Sequence, residues 1–407
     1  MIRINHPVIH ILVGLSVFLG IITTSCLVGY AIGVTGIEIS IIAIGGICFF
    51  LMLVKKILQN IYVLLLLLLL LLEIIMFPDY LSQAIRVFAL LVSYVYIFSI
   101  AREYKIDVLK IFYRIVVVIA VLSFIVYFLV DFLHFNLPNT YFKLDWLHPY
   151  TNYKMLYFSR IDISPEKILG IEFVRNAGIF TEGGMYSVML NICLMIYLFH
   201  LKKNNVIILT IITVVTLSTF STTGIIVMVC VYLFYYSEKA GKSLRFLFVG
   251  ISIVIAIDVI TNLLNYKETY HSFSYQARTF DVLMGLQLFL QKPFLGWGIQ
   301  NQEIFNSVQT ISVAHKGNSN GIVSLLFQMG VIGNILIFYP VWKLISELIK
   351  KGYRNQRIIV FTLIALAVCL ASQPFEYAPL GCGIMAIIAN KLLGDPIELK
   401  SDNGSMV

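Results

Sequence analysis

The side chains that could do chemistry in this chain are concentrated in two polar segments, each of which borders a long apolar run. The first segment, residues 175–184, begins with Arg175 and ends with Glu182 and two glycines, and Tyr186 follows one helical turn after Glu182. A guanidinium can hold a phosphate oxygen through paired hydrogen bonds, and a carboxylate can orient or deprotonate a hydroxyl. A plainer interpretation is an Arg175–Glu182 ion pair that fastens the polar segment to the next helix.

The second segment, residues 278–333, carries a wider set of polar side chains. Arg278 precedes an amphipathic run at 282–290 that predicts a short interfacial helix, Trp297 lies in a glycine-rich turn, and His315 follows in a polar stretch. A lone exposed histidine is more often without a role than catalytic, so both interpretations of His315 stay open.

Asn320, Ser324 and Gln328 are spaced at i, i+4 and i+8, which places them on one face of a helix. Inside an apolar helix, such a polar stripe is predicted to face the interior of a bundle or a cavity. Asn320 and Ser324, together with Arg160, Tyr186 and Trp297, are the candidates for substrate contacts.

The elements that must position these side chains are membrane helices. The 407 residues are 59% hydrophobic and only 12% charged, which no ordinary soluble domain matches. Because a span needs roughly 20 apolar residues, the chain predicts an all-α polytopic membrane protein, a single domain over 1–407 with about twelve spans. The predicted spans are 8–29, 37–54, 57–77, 81–100, 111–130, 178–201, 206–220, 224–236, 246–264, 321–342, 358–371 and 380–393.

The distribution of lysine and arginine predicts the orientation. Most of the 29 basic residues fall on one side if both termini are cytoplasmic. Two long loops, 131–177 and 265–320, then lie outside and lack obvious secondary structure. The net charge of +8 is explained by this asymmetry and by anionic lipid, so no nucleic-acid partner is predicted.

Other polar residues have structural explanations. Glu73 and Arg86 flank a turn and are expected to pair with each other. The six cysteines all lie in predicted spans and form no Cys-x-x-Cys motif, which predicts buried thiols and neither disulfides nor a metal site.

The motifs of the two polar segments resemble those of the O-antigen polymerase and O-antigen ligase superfamily. The resemblance rests on Arg-x-x-Gly-Ile-Phe-x-Glu at 175–182, on Arg278, on Pro-Phe-Leu-Gly-Trp-Gly at 293–298, and on the His/Asn segment that leads into a glycine-rich helix. The family's Glu-Pro-Gly is replaced here by Glu182-Gly183-Gly184. The His-Asn pair of ligases is replaced by Ser319-Asn320, so the chain is more similar to the Wzy-type polymerase branch.

The resemblance implies a GT-C-like helical bundle in the inner (cytoplasmic) membrane, acting at its outer face on undecaprenyl-pyrophosphate-linked glycans. The partners implied are that lipid-linked oligosaccharide, membrane lipid and a chain-length regulator protein. No metal or other cofactor is expected, because the chain has no Asp-x-Asp motif and no adjacent acidic pair.

Without a metal, arginines must neutralise the leaving pyrophosphate. The resemblance therefore implies this catalytic role for Arg278 and Arg175, with Arg160 as a helper. Glu182 or His315 would act as the base on the acceptor hydroxyl.

Three alternatives are weighed against a polymerase. An O-antigen ligase would use the same donor with lipid A-core as acceptor, and the lost His-Asn pair argues against it. A lipid-linked oligosaccharide flippase would have shorter loops, and a secondary transporter would show repeated halves with broken helices at matching positions.

Overall fold

The chain is predominantly helical. The computed structural model describes residues 6–26, 34–54, 61–142, 150–153, 158–168, 171–239, 272–307, 318–351 and 356–392. Its α-helices, in chain order, are α1 (His6–Thr23), α2 (Val34–Val54), α3 (Ile61–Met76), α4 (Leu81–Glu103), α5 (Val108–Tyr127), α6 (Gly183–Met195), α7 (Val206–Ser218), α8 (Thr222–Lys239), α9 (Ser272–Gln291), α10 (Glu303–Ser307), α11 (Gly321–Ile337), α12 (Tyr339–Lys351), α13 (Gln356–Ser372) and α14 (Pro379–Leu392).

Several of these helices can cross a membrane. Among the described residues, four are long and apolar enough on their own: His6–Thr23, Pro78–Glu103, Val108–Asp131 and Gly183–His200. The pair α11 and α12, bent by 51°, passes the same test together, and further apolar helices are shorter. Helices overlap every predicted span except 246–264, which lies outside the described residues. The chain is therefore a multi-pass membrane protein.

The first long loop contains a sheet, which corrects the all-α prediction for residues 131–177. Four antiparallel strands follow in the order β1 (Asn139–Phe142), β2 (Tyr150–Tyr153), β3 (Phe158–Ile168) and β4 (Ile171–Gly178). Their sequences are rich in aromatic and β-branched residues, which favour strands. The last strand leads directly into the turn before α6, so the sheet positions the first polar segment.

Hydrogen bonds between distant segments define one end of the bundle, called here the site end. The Thr181 amide donates to the Ser25 carbonyl at 2.8 Å, which joins the end of α1 to the start of α6. The Leu380 amide donates to Thr24 Oγ1 at 3.1 Å, which places the start of α14 at the same end.

The opposite end, called the basic end, is joined in the same manner. Arg102 donates to the Asn390 carbonyl at 2.9 Å, where α4 and α14 both end. His200 and Asp107 form a pair at 3.0 Å, where the segment after α6 meets the start of α5. Helices α4 and α14 therefore end at the basic end, whereas α1 ends at the site end and α6 and α14 begin there.

Helix α11 is interrupted at Gly330, and the 293–298 loop satisfies the backbone groups that the break releases. The Gly330 backbone has φ 60° and ψ −169°, a conformation essentially restricted to glycine. The Val331 amide donates to the Pro293 carbonyl at 2.8 Å, and the Gln328 carbonyl accepts from the Gly298 amide at 2.8 Å. The break is thus stable because the loop is present.

The structure also tests the predicted Glu73–Arg86 pair and the predicted burial of the cysteines. The expected Glu73–Arg86 pair is wrong, because Arg86 pairs with Glu38 at 2.8 Å while a carboxylate oxygen of Glu73 accepts from the Ile299 amide at 3.2 Å. The prediction of buried thiols is confirmed for all the cysteines except Cys230, which is half-buried, and all six are free.

The break in α11 gives a stability prediction. Gly330→Ala forces a side chain into the restricted backbone conformation and places Cβ 2.5 Å from the Phe294 carbonyl oxygen, so we expect destabilisation of about 1–3 kcal/mol or more. Thermal unfolding of the detergent-purified protein measures it. Gly45→Ala is the matched control, because a Cβ there meets nothing within 4 Å. Equal melting temperatures for both variants would contradict the assigned role of the break.

Candidate functional site

The first polar segment presents Glu182 at the surface of the site end. Glu182 is the N-cap residue of α6 and is exposed. Its carboxylate accepts from Gln373 Nε2 at 3.4 Å, and a side chain on Gly184 would collide with that same amide. Glu182 is therefore held in place by the α13–α14 connection.

Arg175 is engaged with backbone carbonyls at the end of α7. Its Nε donates to the Thr219 carbonyl at 3.3 Å and its Nη2 to the Phe220 carbonyl at 3.2 Å. A cation at a helix C-terminus is favourable because the helix dipole is negative there. The Arg175–Glu182 ion pair does not form, and in this conformation Arg175 fastens β4 to the α7–α8 turn.

Tyr186 lies on α6 behind this segment, and Arg160 lies on the strand that pairs with it. Tyr186 is fully buried, its hydroxyl hydrogen bonds to Ser123 at 2.5 Å, and its ring stacks on Phe180 at 5.4 Å. A side chain with no exposed surface supports the site and does not contact a substrate in this conformation. Arg160 is on β3, paired in register with Asn176, next to the Ile161–Arg175 pair.

In the second polar segment, Arg278 and Asp281 have different environments. Arg278 is exposed on α9 and forms no hydrogen bond or ion pair with any of the described residues. Asp281 is fully buried, and one carboxylate oxygen accepts from the Ser319 amide at 2.9 Å and from the Ser319 hydroxyl at 2.5 Å. Asp281 therefore locks the segment before α11 onto α9, and Arg278 lies one turn away from that contact.

Trp297 connects the 293–298 loop to α9. Its indole Nε1 donates to the Leu288 carbonyl at 2.9 Å, and Lys292 Nζ lies 3.9 Å from the ring centroid. A cation over an indole face is a favourable contact. The expected helix before Lys292-Pro293 is confirmed, although it is longer than predicted because it begins at Ser272.

The predicted polar stripe on α11 is confirmed. Asn320 is the N-cap residue and accepts from the Val323 amide at 3.1 Å, whereas Ser324 and Gln328 are fully buried. Gln328 Oε1 accepts from the Gln300 amide at 2.8 Å, which leaves its amide nitrogen facing the interior. His315 lies outside the described residues.

The α13–α14 connection, residues 373–378, brings the two polar segments to the same end of the bundle. Gln373 contacts Glu182 at the start of α6, and a Cβ on Gly321 at the start of α11 would lie 2.5 Å from Glu376 Oε2. Burial raises the pKa of Glu376 to about 8.

Sequence reasoning missed Gln373 and Glu376. The available signal was a proline-containing polar break with one acid between the last two apolar runs.

Comparison with known proteins identifies the region that contains most of this site. Residues 181–338 match the family model Wzy_C, described as O-Antigen ligase. The match places this region in the O-antigen ligase/polymerase superfamily. No curated protein and no solved structure matches the chain significantly. The region shared with the superfamily includes Glu182 and Arg278, whereas Arg175 and the α13–α14 connection lie outside it.

The contrast between Asp281 and Arg278 predicts different stability effects. Asp281→Ala leaves the Ser319 amide and hydroxyl without their acceptor, which typically costs about 1–3 kcal/mol for each buried group. Arg278→Ala removes an exposed side chain and is expected to leave the melting temperature of the purified protein unchanged. Equal destabilisation by the two substitutions would instead indicate that Arg278 has a structural role.

Proposed function

We propose that this protein is a polysaccharide polymerase of the O-antigen or capsule type. It transfers the growing glycan from undecaprenyl pyrophosphate to a new lipid-linked repeat unit at the outer face of the inner membrane. The observation that carries the proposal is the meeting of Glu182 and the α11 N-terminus at one end of the bundle, because a shared site requires both polar segments on the same side.

The proposed architecture is a GT-C-like bundle of about twelve spans with both termini in the cytoplasm. Arg102, Lys202 and Lys203 lie at the basic end, together with an Arg357–Glu238 pair at 3.7 Å. Lysine and arginine are enriched on the cytoplasmic side of membrane proteins. This supports a cytoplasmic basic end and an external site end.

In the proposed reaction, the acceptor hydroxyl oxygen bonds to the anomeric carbon of the donor sugar. The bond from that carbon to the pyrophosphate oxygen breaks, and undecaprenyl pyrophosphate leaves with additional negative charge. Arg278 stabilises this charge, because a guanidinium presents directed donors and requires no metal. Its exposure, and its lack of a partner among the described residues, make it available to a pyrophosphate headgroup.

The remaining site residues have supporting roles in this proposal. The acceptor hydroxyl must also lose its proton to a base; the sequence motifs suggest Glu182 or His315 for this role, and Glu182 is exposed at the site end. Arg175 and Arg160 contribute positive charge beside the site, while Tyr186, Trp297, Asn320 and Ser324 shape it. Membrane lipid surrounds the bundle, and a chain-length regulator is a further proposed partner.

One observation favours a polymerase over a ligase. Ser319 stands where ligases carry the histidine of the His-Asn pair, and both its amide and its hydroxyl are bound to buried Asp281. That position therefore serves the packing of α9 against α11. A histidine-dependent ligase mechanism has no counterpart at this position.

The role of Arg278 is tested in a deletion strain of the host that is complemented with variants. We expect Arg278→Ala to lower the polymerisation rate about 10²–10³-fold at normal membrane abundance, because one stabilising donor group is lost. Arg278→Lys should recover little, because an ammonium cannot copy the guanidinium fork. Electrophoresis of the surface glycan and immunoblotting of the membrane fraction are the measurements.

Arg86→Ala is the matched control, because Arg86 is an exposed arginine paired only at the surface with Glu38. The polymerase assignment predicts that the Arg278→Ala strain keeps single repeat units on its acceptor and accumulates lipid-linked repeat units. Loss of all surface glycan, with long polymer left on undecaprenyl pyrophosphate, would identify a ligase. Wild-type chain lengths from well-expressed Arg278→Ala would overturn the role of Arg278.

A further inference from the structure

A group of buried polar atoms without partners lies beside the site, on α11 and on the α13–α14 connection. Ser324 Oγ and Gln328 Nε2 on α11, and Glu376 Oε2 and Tyr377 Oη in the α13–α14 connection, are buried and form no hydrogen bond with any of the described residues. Leaving polar groups unpaired in an interior is costly, and native proteins satisfy them with water or ligands. We call these four residues the buried polar cluster.

A second buried carboxylate, that of Glu73, lies near the buried polar cluster. Burial, followed by the negative charges of Glu376 and Glu73, raises the pKa of Tyr377, so the phenol lies within the fields of both acids. Glu73 is nearly fully buried on α3 and accepts from the Ile299 amide, next to the Gln300 amide that binds Gln328. The polar atoms therefore follow α11 from Gly321 at the site end into the bundle.

Glu376 is the residue of the buried polar cluster that lies nearest to the site end and to Glu182. It lies three residues from Gln373, which contacts Glu182, and it packs against Gly321 at the start of α11. The residue as a whole is partly exposed, whereas its Oε2 is buried and unpaired. A carboxylate that is kept out of water, beside the site, has the properties of a general base.

We propose that Glu376, in place of Glu182 or His315, is the catalytic residue that accepts the proton of the acceptor hydroxyl. This inference rests on the proposed transfer reaction. As the oxygen of the acceptor sugar bonds to the anomeric carbon, its proton moves to the Glu376 carboxylate, and the bond to pyrophosphate breaks. Ser324, Gln328 and Tyr377 hold water or a sugar hydroxyl in contact with that carboxylate.

The proposed role of Glu376 predicts how the rate of transfer depends on pH. The described titratable groups around Glu376 are Tyr377 on its own connection, Glu73 on α3, which acts on Tyr377, and, through Gln373, Glu182 on α6. Among the described residues, no lysine or arginine forms an ion pair with Glu376. Burial raises the pKa of Glu376 to about 8. A base must be deprotonated, so the rate of transfer should rise as the pH increases through about 8.

The test uses the full-length protein in proteoliposomes with lipid-linked repeat units. Glu376→Gln keeps the shape of the side chain but cannot accept the proton, so we expect a rate loss of about 10²–10⁴-fold and loss of the rising pH limb. Glu376→Asp should retain part of the activity together with a rising limb. Glu303→Gln is the matched control, an exposed carboxylate that accepts from the Tyr80 hydroxyl at 3.1 Å and is expected to leave rate and pH profile unchanged.

A second measurement is independent of activity. A carboxyl whose pKa is raised by folding stabilises the protein below its ordinary pKa of 4.5, and this stability is lost as the pH rises towards about 8. The melting temperature of the wild type should therefore fall over that range more than that of Glu376→Gln. Parallel curves, or an unchanged rate and pH profile for Glu376→Gln, would overturn the proposal.

The two proposals fail separately. If Arg278→Ala is inactive while Glu376→Gln polymerises normally, the transfer reaction stands and the role of Glu376 is wrong. If both variants polymerise normally, the proposed function fails, and the role of Glu376 fails with it.

Discussion

The placement of the α13–α14 connection between the starts of α6 and α11 is the constraint on which the site depends. Irregular backbone is tolerated inside a membrane bundle only where it is buried in protein or lines a wet cavity. Residues 373–378 meet this condition because Gln373 binds Glu182 while Glu376 packs against Gly321. A glycine at each contact, Gly184 on α6 and Gly321 on α11, lets the connection approach both helices. The same approach joins the two polar segments, which are distant in sequence, into one region.

A second constraint acts from the other side of α11. The break at Gly330 and the 293–298 loop satisfy each other's backbone groups, and Trp297 ties that loop to α9. Asp281 then fixes the residues that precede α11 through Ser319. The helix is therefore held at its start and at its break, which keeps the polar stripe facing the interior. Arg278 is carried by the same helix as Asp281 but is left exposed, so stability and the proposed chemistry are assigned to neighbouring side chains.

The sequence predicted the elements whose signals are local. Apolar runs located the helices, and the i, i+4, i+8 spacing placed Ser324 and Gln328 in the interior, where both are fully buried. The sheet was missed because β1 and β2 have only four residues each and because β3 and β4 show no clear alternation of apolar and polar residues. The observed partners of Arg86 and Arg175 differ from the expected carboxylates, because tertiary packing determines which groups these side chains reach. Glu376 was missed for the same reason, since its importance depends on its contact with Gly321, which is distant in sequence.

The central claim is that Glu182 and Arg278 face the same compartment, opposite the basic end. Single cysteines at positions 182, 278 and 203 test it by labelling with a membrane-impermeant maleimide in intact cells, in a Cys230→Ser background, since the other native thiols are buried. The account predicts labelling of 182 and 278 in intact cells, and labelling of 203 only after permeabilisation. Labelling of 182 and 278 from opposite sides of the membrane would contradict a shared site.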